Sequence, residues 1–213
     1  MRVVRRRREE PRRIVLPADH LVDGDTALRA WRDSDLDGLV AACQDPEISR
    51  FTRVPYPYGS SDARAYLLSR HDAVHSGTGA PFAIVAAADR DHLLGSISLM
   101  RFSWKHARAE VGYWLGSAAR GHGHVTRAVR LITAWGFRNL GLERIELMAA
   151  TSNPASQRVA ERCGFTREAV LRSYLESKEG RQDMVVFGLL ASDSHDQGAG
   201  GAAAAPIPNS PSS

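Results

Sequence analysis

The segment that most restricts the fold is residues 115–126, Leu-Gly-Ser-Ala-Ala-Arg-Gly-His-Gly-His-Val-Thr, which joins a predicted strand to a predicted helix. Glycines at such a turn leave several backbone N–H groups pointing outward at the helix N-terminus, where the helix dipole also favours anions. Arg120 adds a positive charge, and Thr126 adds a hydroxyl donor. The segment lacks the Gly-Lys-Ser/Thr of a P-loop and the third glycine of a dinucleotide fingerprint. It therefore predicts a cradle for a pyrophosphate, with a tight turn that binds no ligand as the alternative.

Strand and helix patterns alternate on both sides of this segment. Period-2 and period-3.6 patterns predict strands at 26–31, 82–88, 93–102, 110–115, 144–150, 165–174 and 183–190, and helices at about 34–43, 60–75, 123–140 and 153–163. The strands between 82 and 115 are expected to form an antiparallel meander. The pattern predicts an α/β protein, with α+β element order, built on a mixed and mostly antiparallel sheet of six to seven strands with helices on both faces.

The basic character of the chain is concentrated at its N-terminus. Residues 1–13 contain seven arginines and two glutamates, whereas the whole chain has a formal charge of +4. The remainder is therefore slightly negative, which argues against a specific nucleic-acid partner. Residues 191–213 are mostly Gly, Ala, Pro and Ser. We predict one domain over residues 14–190, flanked by disordered tails at 1–13 and 191–213.

The cysteines and the apolar pattern indicate in which compartment the protein is located. Cys43 and Cys163 fit no metal-binding spacing, and the histidines form no metal constellation, so no metal is expected. No apolar run approaches the roughly 20 residues that span a bilayer. No hydrophobic stretch follows the N-terminal charges, so the N-terminus is not expected to be a signal peptide. We expect a reduced, cytoplasmic protein that does not engage a membrane and that is a monomer or a homodimer.

Several segments, taken in order, resemble the GNAT acetyltransferases. Arg120-x-x-Gly123 resembles the acetyl-CoA loop of that family, and the Asn-Pro-Ala-Ser at 153–156 looks like the start of its second CoA-side helix. The segments at 110–115, 141–147 and 28–35 are similar to the ribosomal-protein-alanine N-acetyltransferase branch. The resemblance covers about residues 14–190. It implies the GNAT fold and transfer of an acetyl group from acetyl-CoA to a primary amine.

The resemblance also implies which residues contact CoA. They are Tyr113, Leu115, Arg120, Gly121, His122, Gly123, His124, Val125, Thr126, Asn153 and Ser156. The strand through Tyr113 and Leu115 is expected to splay from its neighbour, so that its backbone pairs with the pantetheine arm. The side chains of His122 and His124 are expected to be exposed while their backbone binds. Val125 replaces the usual Gly or Ala, so it either crowds the cofactor or faces the core.

Transfer of an acetyl group from a thioester to an amine requires a base that removes a proton from the amine and a proton donor for the leaving thiolate. An α-amine has a pKa near 8, so roughly a tenth is neutral at pH 7 and a modest base suffices. Glu146 and Glu110 are the candidates, with a solvated or salt-bridged glutamate as the alternative for each. The tyrosine acid of the family falls at Ala160. Ser156 or water is expected to serve instead, and Asn153 either bonds the pantetheine or caps its helix.

The branch favours the N-terminal α-amine of a protein as the acceptor. Acetylation of a small amine, such as a polyamine, an amino acid or an antibiotic, is the first alternative. An acyl-CoA-binding module without turnover is the second. The loop at 52–59, with Tyr56 and Tyr58, either supplies an aromatic wall for a peptide or packs the first two helices together.

Overall fold

A computed structural model describes residues 12–178 and 180–196. Within this part the chain forms eight β-strands and six α-helices. In chain order they are β1 (Leu21–Asp23), β2 (Thr26–Arg29), α1 (Leu36–Ala42), α2 (Pro46–Phe51), α3 (Ser60–His75), β3 (Gly79–Ala86), β4 (Leu93–Ser103), β5 (Arg108–Leu115), α4 (His124–Leu140), β6 (Arg144–Ala150), α5 (Pro154–Arg162), β7 (Thr166–Ser177), β8 (Gly180–Leu190) and α6 (Ala191–Asp196).

All eight strands form one sheet in the order β1-β2-β3-β4-β5-β6-β8-β7. Only the β5–β6 pair is parallel, and every other neighbouring pair is antiparallel. The predicted meander, β3-β4-β5, and the mixed, mostly antiparallel sheet are confirmed. The predicted count of six to seven strands is one short of the eight found. The missed strand is β1, whose three residues are too few to show an alternating pattern and which folds back on β2 through a turn at Gly24 (φ +56°).

The sheet separates two apolar cores, because successive side chains of a strand point to opposite faces. One core packs α4 and α5 against the sheet through residues such as Phe82, Leu99 and Ile145. The other core packs α1, α2 and α3 through residues such as Leu39 and Val85. Helices thus cover both faces, as predicted.

The two helices that border the candidate site begin and end at the residues expected from the sequence. α4 begins after Gly123 and ends at Gly141, both with left-handed backbones (φ +79° and +63°). α5 begins after Asn153, whose side chain accepts a hydrogen bond from the Ser156 N–H at 3.1 Å. The alternative interpretation of Asn153 as a helix cap is therefore correct.

The tails predicted at 1–13 and 191–213 fall mostly beyond the described part of the chain. Residues 1–11 and 197–213 lie outside the described residues. Helical structure continues through α6, six residues past the predicted boundary at 190. Its start is fastened to the domain by a hydrogen bond from the Ala191 N–H to the Glu143 carbonyl at 3.0 Å.

Candidate active site

Strands β5 and β6 separate from one another toward their carboxyl ends. Their pairing stops at Val111 and Leu147, although β5 continues to Leu115 and β6 to Ala150. We call the opening between residues 112–115 of β5 and residues 148–150 of β6 the fork. The expectation that the strand through Tyr113 splays from its neighbour agrees with this register.

The backbone of β5 directs hydrogen-bonding groups into the fork. The Gly116 N–H donates to the Leu94 carbonyl at 2.9 Å, and backbone groups of alternate residues in an antiparallel pair face the same neighbour. Trp114 therefore bonds toward β4, whereas the N–H groups of Tyr113 and Leu115 point toward the fork, beyond the last pairing with β6. These two groups can bind an extended amide chain or polarise a carbonyl.

The turn before α4, where the sequence predicts a pyrophosphate cradle, has a row of backbone N–H groups without acceptors in the described part of the chain. Among the described residues, none accepts a hydrogen bond from the backbone N–H groups of residues 121–126, and the first helical bond runs from Arg127 to Gly123 at 3.1 Å. Gly121 has a left-handed backbone (φ +84°), and a Cβ added to it would meet nothing within 4 Å. Six successive free donors beside open space fit a pyrophosphate group.

The side chains of three loop residues, Arg120, Val125 and Thr126, differ in their contacts. The Arg120 guanidinium lies 2.6 Å from the Asp45 carboxylate of the α2 cap and 3.1 Å from the Leu115 carbonyl, so its charge is paired instead of free at the helix start. Val125 packs partly against the core on the α4 side, which agrees with the alternative that it faces the core. No hydrogen bond of the Thr126 hydroxyl is found in the described part of the chain.

The two histidines of the loop differ. His122 is exposed, as expected. The prediction is wrong for His124, whose side chain is only 12% exposed and whose Nδ1 lies 2.8 Å from the Thr26 hydroxyl. Burial lowers the pKa of His124, so its ring is neutral at pH 7 and its partner at Thr26 holds its orientation.

Arg127 is a loop neighbour that sequence reasoning missed. Its guanidinium donates to the His122 carbonyl at 2.8 Å and lies 3.0 Å from the Asp25 carboxylate. A basic residue in the first turn of a helix opposes the helix dipole, and an anion bound at the cradle would offset this charge. Its position four residues after Gly123 places it in the first turn of α4, and this spacing could have identified it from the sequence.

A hydroxyl pair lies between β5 and α5 on the α4 side of the sheet. The hydroxyl oxygen of Tyr113 is 2.8 Å from the Ser156 Oγ. Burial raises the pKa of Tyr113 to about 12, although the bond to Ser156 opposes the shift. Ala160, where the family tyrosine is absent, is fully buried in the core. Tyr113 packs partly against that core, whereas its neighbour Trp114 belongs to the core on the other face.

Both candidate bases lie on the opposite face, one residue pair below the fork. Glu110 and Glu146 are direct partners in the β5–β6 register, so their side chains lie on one face. Arg101 contacts the Glu110 carboxylate at 2.9 Å. Two arginines hold Glu146: Arg108 at 3.1 Å and Arg144 at 2.9 Å.

A third carboxylate completes this acidic floor, which we define as Glu110, Glu146 and Glu168. Arg144 donates two hydrogen bonds to Glu168, at 2.8 and 2.5 Å. These bonds lower the pKa of Glu168 despite the opposing effect of burial. Burial raises the pKa of Glu110, with Arg101 as the main opposing influence. Every carboxylate of the floor is thus paired with an arginine. Among the described residues, Glu110 accepts one hydrogen bond from an arginine, whereas Glu146 and Glu168 accept two each.

The mouth of the fork on this face is bordered by α2 and by the β7–β8 hairpin. Lys178, at the hairpin tip, donates a hydrogen bond to Ser49 of α2. In the loop after α2, Tyr58 is buried in the core beneath α1 and α3, so for this residue the packing alternative is correct. Tyr56 is 53% exposed and is the loop aromatic that an acceptor could contact.

The described residues contain neither a cluster of metal ligands nor a membrane-spanning helix. Among the described residues, no three His, Cys, Asp or Glu side chains are gathered so that they could hold a metal ion. None of the helices in the described part of the chain combines the length and apolar character needed to cross a membrane.

Comparison with known proteins identifies the family. A family model described as an acetyltransferase (GNAT) domain matches residues 26–166. The uncharacterized N-acetyltransferase p20 of Bacillus licheniformis is 29% identical over 163 residues, 76% of this chain and 91% of that protein.

Two solved structures share the fold. RimL, described as a ribosomal L7/L12 alpha-N-protein acetyltransferase in complex with coenzyme A, matches with a TM-score of 0.74 at 18% identity, over 81% of this chain and 98% of that one. A spermidine N-acetyltransferase from Vibrio cholerae, in complex with CoA and spermine, matches with a TM-score of 0.68 at 24% identity, over 79% and 97% of the two chains. Since the family model covers most of the described domain, this chain belongs to the GNAT family and is an N-acetyltransferase.

Proposed function

We propose that this enzyme transfers the acetyl group of acetyl-CoA to the N-terminal α-amine of a protein. The observation that carries the choice of acceptor is the acidic floor, in which Glu110, Glu146 and Glu168 are each paired with an arginine. A polyamine carries several positive charges and requires carboxylates that are not already neutralised. A peptide terminus presents a single amine, and a modest base suffices for it.

The donor side of the site consists of the cradle and the β5 edge of the fork. The free N–H groups of residues 121–126 bind the pyrophosphate of CoA, assisted by the positive end of the α4 dipole. The N–H groups of Tyr113 and Leu115 bind the pantetheine arm and polarise the thioester carbonyl. When bound, acetyl-CoA supplies the activated acetyl group, and this chain supplies orientation and proton transfer. Asn153 caps α5 and so fixes Ser156 beside the fork.

Glu110 is the base in this proposal. Burial raises the pKa of Glu110, which makes it a stronger base than a glutamate at its ordinary pKa, and a single arginine contacts it. Glu110 accepts the proton of the attacking amine, directly or through a water, as the new C–N bond forms. Glu146, held by Arg108 and Arg144, organises the floor.

Ser156 is the proton donor to the departing sulfur as the C–S bond breaks. The Tyr113 hydroxyl fixes the Ser156 hydroxyl at 2.8 Å, and its high pKa keeps the phenol protonated. This pair on β5 and α5 takes the place of the tyrosine that is missing at Ala160. As Ser156 donates its proton, a solvent water passes one to Ser156, and Glu110 returns the proton of the amine to solvent, so that the cycle closes with no net charge.

An acceptor panel tests the proposal. Thiol release from acetyl-CoA would be measured with peptides that begin with Ala, Ser, Thr or Met, with spermidine, with free amino acids and with aminoglycosides. We expect the highest kcat/KM for a peptide with a small N-terminal residue, and loss of activity when its amine is blocked. A tenfold or greater preference for a polyamine or drug amine would overturn the peptide assignment and favour the small-amine alternative. A cytoplasmic location stays a prediction.

A further inference from the structure

The second half of β4 contains a β-bulge with an unusual first residue. Met100 pairs with Glu110 and Ser103 with Arg108, so Arg101 and Phe102 together lie opposite one residue of β5. Arg101 has a left-handed backbone, with φ of +53°. Glycine suits this position in such a bulge, because a side chain there is strained. Strain of this kind persists where the surrounding structure holds it, and it concentrates at functional sites.

The bulge places the side chain of Arg101 on the floor of the fork. In a regular strand Arg101 would point to the face opposite to that of Met100, since successive side chains alternate. Its guanidinium instead reaches the Glu110 carboxylate, on the same face as Met100, at 2.9 Å. Bulges are known to redirect side chains near active sites in this way.

Four charged groups surround Glu110. Arg101 on β4 and Arg53, in the loop after α2, favour its carboxylate form, whereas Glu146 on β6 disfavours it. Arg108 on β5 is occupied by Glu146. Arg101 is the one of these groups that contacts the Glu110 carboxylate, and the Glu110 side chain is 16% exposed. Burial and Glu146 therefore both favour the protonated form of Glu110, and Arg101 is the main group that favours its carboxylate form.

We propose that Arg101 is a positioning residue that holds Glu110 as an oriented carboxylate, and that the strained bulge exists to deliver it. This rests on the assignment of Glu110 as the base in the proposed function. An ionised base is required before the amine attacks, so the contact sets the lower pH limit of activity.

The test replaces Arg101 with glycine, which removes the guanidinium and also relieves the left-handed backbone. In Arg101→Gly we expect an unchanged or higher Tm, because the bulge itself is retained. The pKa of Glu110, measured by NMR titration of its carboxyl carbon, should rise by about one unit, the lower end of the range for a close opposite charge because Arg101 is half-exposed. The acid limb of the kcat/KM profile should move upward by the same amount. Arg101→Lys, which keeps the charge, should restore part of the shift.

Ser173→Gly is the matched control, because Ser173 is another non-glycine residue with a left-handed backbone (φ +51°) and lies on β7, which pairs with neither β4 nor β5. Its pH profile should match that of the parent. In a Glu110→Gln background, Arg101→Gly should have no further effect on the acid limb. An unmoved Glu110 pKa in Arg101→Gly would overturn the inference. If that pKa shifts while no amine in the acceptor panel is acetylated, the coupling stands and the proposed function fails.

Discussion

Glu110 and Glu146 have the same chemistry and adjacent places in the sheet, yet their side chains have different neighbours. Glu146 accepts from Arg108 and Arg144, so its lone pairs are largely committed. Glu110 accepts from Arg101 alone, and burial raises its pKa above the usual 4.5. A carboxylate whose pKa is raised is a stronger base than one at its ordinary pKa.

At this scale we predict unequal effects of two isosteric substitutions. Glu110→Gln should lower kcat by about 10²-fold or more at pH 7, the range for loss of a general base. The loss should shrink as the pH rises through the pKa of the amine, where the acceptor is already neutral. In the parent enzyme, activity should fall as the pH decreases through the raised pKa of Glu110, because the protonated form cannot accept a proton.

Glu146→Gln is the matched control, with an expected loss of less than about tenfold because it only loosens the floor. Steady-state rates of thiol release between pH 5.5 and 9.5 provide the measurement. A larger loss in Glu146→Gln than in Glu110→Gln would reverse the two assignments.

At the scale of elements, the N-terminus of α4 combines a helix dipole with free donors. Gly121 and Gly123 supply the two left-handed residues that turn the backbone N–H groups of residues 121–126 outward. The cradle is therefore a property of the backbone, and only its surroundings depend on side chains. Side-chain truncations in the loop should weaken CoA binding less than changes at the glycines.

We predict that CoA raises the Tm of the protein, since a ligand that binds only the folded state stabilises it. Pantetheine without phosphates should raise it far less. Gly123→Glu should abolish the CoA shift by adding an anion and a side chain at the cradle. Gly141→Glu, at the other end of α4, is the control: it replaces another left-handed glycine (φ +63°) and should lower Tm comparably while keeping the CoA shift. Thermal melts with and without CoA would contradict the cradle if Gly123→Glu kept the full shift.

The sequence predicts secondary-structure elements better than it predicts contacts between them. α4 and α5 were predictable because a 3.6-residue pattern of apolar residues is bounded by Gly123, Gly141 and Asn153. α2 was missed because its six residues are too few for a periodicity, although Asp45 followed by proline is a start signal. The fork followed from the family resemblance, since nothing local in β5 or β6 requires them to separate.

Contacts between residues that are distant in the sequence could not be predicted. Arg120 with Asp45 and Tyr113 with Ser156 join residues that only the folded chain brings together. The left-handed backbone of Arg101 was equally hidden, because arginine has no preference that would suggest it.

At the scale of the whole molecule, the N-terminal segment of the described chain belongs to the domain. Ile14 is 3% exposed and lies in the core on the α4 side, and the Arg12 guanidinium lies over the Trp104 ring at 5.7 Å. The start of the domain at residue 14 stays a prediction. At the other end, α6 extends the chain beyond the predicted end at 190.

We predict that a chain shortened to residues 12–196 keeps the Tm of the full protein and its CoA-induced shift. A chain of residues 21–196 should melt at least about 4 °C lower, because loss of a buried aliphatic side chain costs about 2–5 kcal/mol and 1 kcal/mol corresponds to about 2–4 °C at this size. Calorimetry of the three chains provides the comparison. Equal Tm values for the two shortened chains would show that Ile14 contributes nothing to the core.

The bond from Lys178 to Ser49 joins the hairpin tip, on the β6 side of the fork, to α2, on the β5 side. The two residues are 129 positions apart in the sequence, so the contact ties the placement of the hairpin tip to that of α2. A substitution in either segment is therefore expected to shift the other, and the two cannot be varied independently.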